Sequence, residues 1–136
     1  MIEVINEPIL DLKEIGKKKN GAVPEVLKNE KEYILSIGRL TKQKNYLFLI
    51  NAFDKILKKN PNIKLVICGE GEEKPNLLKH INKLKRHNEI YLIGFNKNIY
   101  PILKNSKLFV LTSKWEDPGF VLVESMFSNK IVLSSD

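Results

Sequence analysis

The chain has 136 residues, 43% apolar and 29% charged, a balance that suits one folded domain and excludes disorder over most of its length. Its formal net charge of +7 is almost all lysine, with Arg39 and Arg86 the only arginines, and its single cysteine, Cys68, excludes an intrachain disulfide framework or a cysteine zinc cluster. No apolar run approaches the ~18 residues of a membrane span, and the N-terminus lacks a charged-then-apolar signal pattern, so a soluble, reducing, cytoplasmic setting is expected.

Residues 1–30 are the least regular: a short helix is predicted over 9–15 after Pro8, a polar loop over 17–21, and local packing over 23–27. From Tyr33 the pattern sharpens. The apolar run 33–37, ending at Gly38, predicts a strand. A helix is predicted over 45–59, with Leu47, Ile50, Phe53 and Leu57 at helical spacing and Pro61 just past its end. A second strand, 63–68, closes on Gly69-Glu70-Gly71. An amphipathic helix over 74–87 carries Leu77, Leu78, Ile81 and Leu84 on one face. A third strand over 90–93 ends at Gly94, followed by a short helix over 99–105, a fourth strand over 108–112, a helix over 118–127 and a fifth strand over 130–134.

Alternating strand and helix with short connections predict an α/β fold: a doubly wound, Rossmann-like parallel sheet of about five strands covered on both faces. The strands read as continuous apolar runs, as buried parallel strands do. Ligands of such sheets bind beyond the carboxyl ends of the strands, so the residues that follow each strand are the informative ones.

Three such segments stand out. Gly38-Arg39-Leu40-Thr41-Lys42-Gln43-Lys44 puts Arg39 and Lys44 at the opening of a helix, whose N-terminus favours anions. Two cations there suit a diphosphate, although basic residues near a turn are commonly just solvated. Neither Walker nor dinucleotide glycine spacing is present. Gly69-Glu70-Gly71 permits a tight turn or a close backbone approach, with a simple strand-to-helix connection an equal reading. In Trp115-Glu116-Asp117-Pro118-Gly119-Phe120-Val121-Leu122-Val123-Glu124, Asp117 suits an N-cap and Pro118 a first helical position. The helix around Glu124 is apolar nearly all round, which predicts a buried helix. A buried carboxylate then needs a partner, either ligand hydroxyls or a lysine elsewhere in the fold.

The Glu-x7-Glu spacing of Glu116 and Glu124, with Gly119 between them, resembles the signature of the group 1 (family 4) retaining glycosyltransferases. Gly38, Arg39, Leu40 and Lys44 are similar to that family's phosphate loop. Cys68 to Gly71, Ile93-Gly94-Phe95 and the closing 132–136 follow in the family's order, so the resemblance covers about residues 33–136. Val4-Ile5-Asn6-Glu7-Pro8-Ile9 is similar to its interdomain linker. The Trp-Glu-Asp-Pro-Gly-Phe form departs from the commoner Glu-Gly-Phe-Gly and looks like a variant of surface-polysaccharide and lipopolysaccharide enzymes.

The resemblance implies the C-terminal, donor-binding half of a GT-B fold, with residues 1–30 as linker and edge segment and 31–136 as the nucleotide-sugar domain. By the same resemblance, Arg39 and Lys44 would hold the donor diphosphate and stabilise the departing nucleotide, and Glu116 would accept hydrogen bonds from sugar hydroxyls. Gly38, Gly69, Gly119, Phe120 and Val121 would line the donor, Glu124 would bind the ribose hydroxyls, and Ile93 and Phe95 would lie near the nucleobase. The donor would be a UDP-sugar or GDP-sugar and the acceptor a glycan or lipid-linked glycan, with no metal or other cofactor. An acceptor domain before Met1 and further elements after Asp136 are expected, so the chain alone should bind donor weakly and transfer little or no sugar.

The competing reading is a non-catalytic basic module for nucleic acid or an anionic membrane surface, motivated by the +7 charge. The lysines are scattered over predicted helix surfaces (Lys17 to Lys19, Lys58, Lys59, Lys79, Lys83, Lys85), and direct base readers favour arginine. A solvated surface is therefore preferred and no nucleic-acid partner is expected, while peripheral membrane association stays open. His80 and His87 lack carboxylate company and read as surface residues rather than metal ligands.

Overall fold

Alternation of strand and helix builds a five-stranded, wholly parallel sheet in the computed structural model, which describes residues 12–30, 32–116 and 119–135. The strands are β1 Tyr33–Ile37, β2 Lys64–Cys68, β3 Ile90–Gly94, β4 Leu108–Leu111 and β5 Ile131–Ser134, in the spatial order β3-β2-β1-β4-β5. The helices are α1 Leu12–Lys18, α2 Tyr46–Leu57, α3 Lys74–Leu84, α4 Tyr100–Asn105 and α5 Phe120–Phe127. Short 3₁₀ turns at Glu25–Leu27 and Lys42–Lys44 complete the order.

Successive side chains of the central strands point to opposite faces and so feed two cores. Ile34, Leu65 and Ile67 join α2 and α3 through Leu49, Ile50, Phe53, Leu77 and Ile81. Tyr33, Leu35, Val66, Cys68 and Phe109 join α4 through Ile102 and Leu103, with Ile15 of α1 and Leu27 also buried there. The doubly wound reading therefore holds. Residues 12–30 include parts docked on the sheet: Ile15 and Leu27 lie in that second core, and Tyr91 Oη donates to Glu30 Oε1 at 3.0 Å. The residues of the linker-like segment 4–9, and Asp117 and Pro118, lie outside the described residues.

Several expectations shift. The predicted loop at 17–21 begins later, because α1 runs through Lys18, where lysine is a good helix former and suits the last turn. Leu47 and Leu78 are exposed, and the buried face of α2 is Tyr46, Leu49, Ile50, Phe53 and Leu57. Four consecutive apolar residues, Leu47 to Ile50, leave the helical phase ambiguous. It is set by Asn45, whose left-handed φ of 55° separates the 3₁₀ turn from α2. The fifth strand is not a buried one: β5 is an edge, paired with β4, with Ile131 68% exposed. Nor is α5 buried all round. It packs on the second core through Val121 and Leu122, while Phe120, Met126 and Phe127 are exposed. No helix among the described residues is long and apolar enough to cross a membrane.

One glycine pair contrasts sharply. A Cβ on Gly69 would fall on the Gly38 carbonyl, whose carbon it would meet at 2.9 Å, and its φ is +152°. Gly16, inside α1, has no such neighbour within 4 Å. Gly69→Ala is expected to lower unfolding stability by at least about 2 kcal/mol. Gly16→Ala should be neutral or stabilising by about 0.5–1 kcal/mol. Urea unfolding midpoints of the two variants check this.

Candidate functional site

The sheet order places a topological switch point between β1 and β4. From β1 the chain moves outward through β2 to β3, then returns to β4 on β1's other side. Loops that leave β1 and β4 in opposite directions open a crevice at the carboxyl ends of these strands. The cations and carboxylates singled out from the sequence, Arg39 and Lys44 on one segment and Glu116 and Glu124 on the other, flank this crevice.

The β1 loop is shaped by backbone contacts with its neighbours. Gly38 N donates to Cys68 O at 3.0 Å, Leu40 N to Glu70 O at 2.9 Å, and Glu73 N to Leu40 O at 2.9 Å. The Gly69-Glu70-Gly71 segment lies so close that a side chain at Gly71 would strike the Leu40 backbone. These glycines thus serve the approach of one loop to another.

Across the crevice, the β1 and β4 loops are laced together. Thr112 Oγ1 donates to Lys44 O at 3.1 Å, Lys114 N to Gln43 O at 2.8 Å, and Gln43 Nε2 to Trp115 O at 2.8 Å. At the end of this lacing the Lys44 ammonium makes an ion pair with Glu116 Oε1, their side chains 12% and 21% exposed. Partial burial alone would raise the Glu116 carboxyl. The Lys44 hydrogen bond, the neighbouring Ser113 hydroxyl and the ammonium charge outweigh it and hold the carboxyl below its ordinary value. Ser113 Oγ itself stops short of hydrogen-bond geometry. Arg39 is exposed, and among the described residues its guanidinium pairs with no carboxylate.

Two adjoining hollows share Ile37, Gly38 and Arg39. One, about 290 Å³, is lined further by Gln43, Lys44, Glu116, Gly119, Phe120, Val121 and Glu124. The other, about 420 Å³ and mostly apolar, is lined further by Cys68, Gly69, Glu70, Phe95, Asn96 and Ile99. The structure thus brings together every residue assigned to the donor from the sequence except Ile93. That side chain packs against the second core and lines neither hollow. Phe95 is 77% exposed at the rim of the second hollow.

Glu124 is only partly buried, and within this chain Tyr100 Oη of α4, a partner not expected from the sequence, donates to its Oε1 at 3.0 Å. An ionised carboxylate has about four acceptor sites, so capacity remains for two hydroxyls. Tyr100, Gln43 and Thr112 were not singled out from the sequence. Gln43 lies between two flagged cations and Thr112 at a strand end, weak signals that could have raised both. Nothing in the sequence links Tyr100 to Glu124. Among the described residues no cluster of three or more His, Cys, Asp or Glu could hold a metal. His80 instead hydrogen-bonds Asn51 Oδ1 at 2.8 Å.

The family described as "Glycosyl transferases group 1" matches residues 18–136. The chain is 44% identical over 102 residues to an uncharacterized glycosyltransferase of Methanocaldococcus jannaschii, covering 75% of this chain and 25% of that protein. It is 35% identical over 127 residues, 93% of this chain and 33% of the relative, to a Campylobacter jejuni enzyme. That relative is the N-acetylgalactosamine-N,N'-diacetylbacillosaminyl-diphospho-undecaprenol 4-alpha-N-acetylgalactosaminyltransferase. Among solved structures, Anabaena HepE in complex with UDP-glucose superposes with a TM-score of 0.69 at 26% identity, over 80% of this chain and 30% of HepE. The chain therefore spans a quarter to a third of the length of these relatives. The sheet matches the C-terminal Rossmann-like half of GT-B proteins, as its likeness to the lipopolysaccharide glycosyltransferase fold also shows (TM-score 0.68). The matched span, the sheet order and the crevice agree: this chain belongs to the group 1 glycosyltransferases.

Proposed function

We propose that the chain supplies the donor side of glycosyl transfer, binding a nucleoside-diphosphate sugar for transfer to a glycan or lipid-linked acceptor. The observation that carries this reading is the convergence of Arg39, Lys44, Glu116 and Glu124 on one crevice at the switch point. HepE was crystallised with UDP-glucose, and the Campylobacter jejuni relative is named for an undecaprenol-diphosphate acceptor. By that kinship a UDP-sugar is the first donor to try, and a polyprenol-linked or other glycan the first acceptor.

The residues then take distinct roles. Arg39 and Lys44 neutralise the diphosphate and the charge that grows on its oxygen as the bond to the sugar's anomeric carbon breaks. Such donors, aimed at developing charge, are worth roughly 3–4 kcal/mol each in the transition state. The two cations take the part a metal plays in other transferases, so transfer is expected without one. Glu116, kept ionised, accepts from sugar hydroxyls beside Gly119, Phe120 and Val121. Glu124, steadied by Tyr100, accepts from the ribose hydroxyls. The apolar hollow under Phe95, rather than the site of Ile93, receives the base, with Gly69 in its wall. Transfer proceeds with retention of configuration.

Residues 1–30 are assigned to a linker and edge segment and 31–136 to the donor domain. The acceptor would be presented by a further domain of the complete enzyme, so the chain alone should turn over little or no sugar. With a lipid-linked acceptor, the enzyme would act in the cytoplasm, peripherally at the membrane face. The basic-module reading has less support. Several lysines are individually engaged, Lys64 with Asn88 O, Lys107 with Glu32 and Lys130 with Lys104 O.

Calorimetric titration with UDP and GDP is expected to show binding of at least one. Arg39→Ala and Glu124→Ala should each weaken it about tenfold or more, and Tyr100→Phe by a smaller factor. No heat with either nucleotide, together with unchanged kcat/KM for Arg39→Ala and Glu124→Ala in the complete enzyme, would end this reading. A pH series checks the ionised state of Glu116. Its carboxyl is lowered from 4.5 in the folded chain, so between the folded and unfolded values the unfolded state binds more protons. The stability advantage of the unaltered chain over Glu116→Gln should be fully present above pH 4.5 and shrink as pH falls through the folded value. Urea midpoints from pH 7 to about 3 read this directly.

A further inference from the structure

Two of the residues assigned to neighbouring parts of the donor, one to its diphosphate and one to its sugar, hold each other. Lys44 and Glu116 form an ion pair inside the crevice, both side chains more than three-quarters buried. The pair does not rest on loose loops. Thr112 fixes the carbonyl of Lys44, and Gln43 ties the neighbouring backbone to Lys114 and Trp115. The Lys44 stem runs past Gly38, where a side chain would meet its Cε at 3.1 Å. Arg39, in the same crevice, has no such carboxylate partner among the described residues.

Resting on the donor reading above, we propose that the Lys44–Glu116 pair makes the site select the intact donor over the spent nucleotide. A diphosphate can engage Arg39 at once but must draw Lys44 away from Glu116. Lysine suits this exchange, being a compact charge on a flexible stem with three rotatable donors. With a bare nucleoside diphosphate, Glu116 is left as a poorly solvated carboxylate without its cation and beside phosphate charge, which is unfavourable. With the sugar attached, its hydroxyls donate to Glu116 and replace what Lys44 gave. Affinity for the diphosphate thus depends on the sugar. Once the sugar has left, the carboxylate competes again for Lys44 and helps expel the product. Glu116 is in this sense a specificity-determining residue as well as a sugar contact.

The test is a cycle of titrations on this chain with UDP, or with GDP if the unaltered chain takes that instead, and with UDP-glucose or GDP-mannose to match. Glu116→Gln keeps the shape and removes the charge; Glu116→Ala is the second variant, and circular dichroism checks that each folds. Bare nucleotide should bind Glu116→Gln about three- to tenfold more tightly, the scale of one partly buried ion pair, while the advantage of the nucleotide-sugar shrinks. In a Lys44→Met background the gain from Glu116→Gln should fall to less than half its logarithm. Unchanged or weaker nucleotide binding by both Glu116 variants would overturn the proposal, as would an undiminished gain without Lys44. Failure of the unaltered chain to bind either nucleotide would instead remove the donor reading, and the proposal with it.

Discussion

The site depends on a constraint set by connectivity. At the switch point, β1 and β4 are neighbours whose pairing, Ile34 with Leu108 and Leu35 with Phe109, sets the roots of the two loops, but the loops depart in opposite directions and need further contacts to stay in register. The lacing from Thr112, Lys114 and Gln43 supplies them, with a backbone carbonyl as each acceptor. Because it acts through the main chain, it fixes where Lys44 and Glu116 start. It leaves their side chains able to change partners.

A second set of backbone bonds acts on the other side. The segment after β2 presses against the β1 loop so closely that Gly69 and Gly71 admit no side chain. The β1 loop is thereby clamped from both flanks, by β2's loop and by β4's. An exposed ion pair in such a place would add little, since solvent screens it and ordering two long side chains opposes it. Lys44 and Glu116 sit in between: shielded enough for the pairing to matter, open enough for a ligand to reach them.

Much of this was legible in the sequence, and the reason is physical. Buried parallel strands read as apolar runs that stop abruptly, so the residues at their carboxyl ends can be found without knowing the sheet order. Arg39, Lys44, Glu116 and Glu124 were located that way, and the crevice gathers all four. What stayed hidden needed tertiary information. Tyr100 meets Glu124 only because α4 and α5 lie on the same face of the sheet. Ile93 and Phe95 are two residues apart, and the turn at Gly94, with its φ of 75°, sends one to the core and the other to the rim. The phase of α2 was obscured by apolar residues on more than one side. The exposure of β5 follows from sheet order, which apolar content does not encode.

The edge strand has its own consequence. Among the described residues, β5 hydrogen-bonds to β4 on one side and carries Ile131 and Leu133 exposed. Natural edges are commonly guarded by a lysine whose charge repels an incoming strand. Lys130 stands at the right place, but its ammonium is turned inward to the carbonyls of Lys104 and Ser106, at 2.6 and 2.8 Å, capping the end of α4. The gatekeeper is thus spent on a helix cap. An unguarded apolar edge is a template for strand addition, so in concentrated solution these residues would tend to self-associate through β5, independently of any nucleotide.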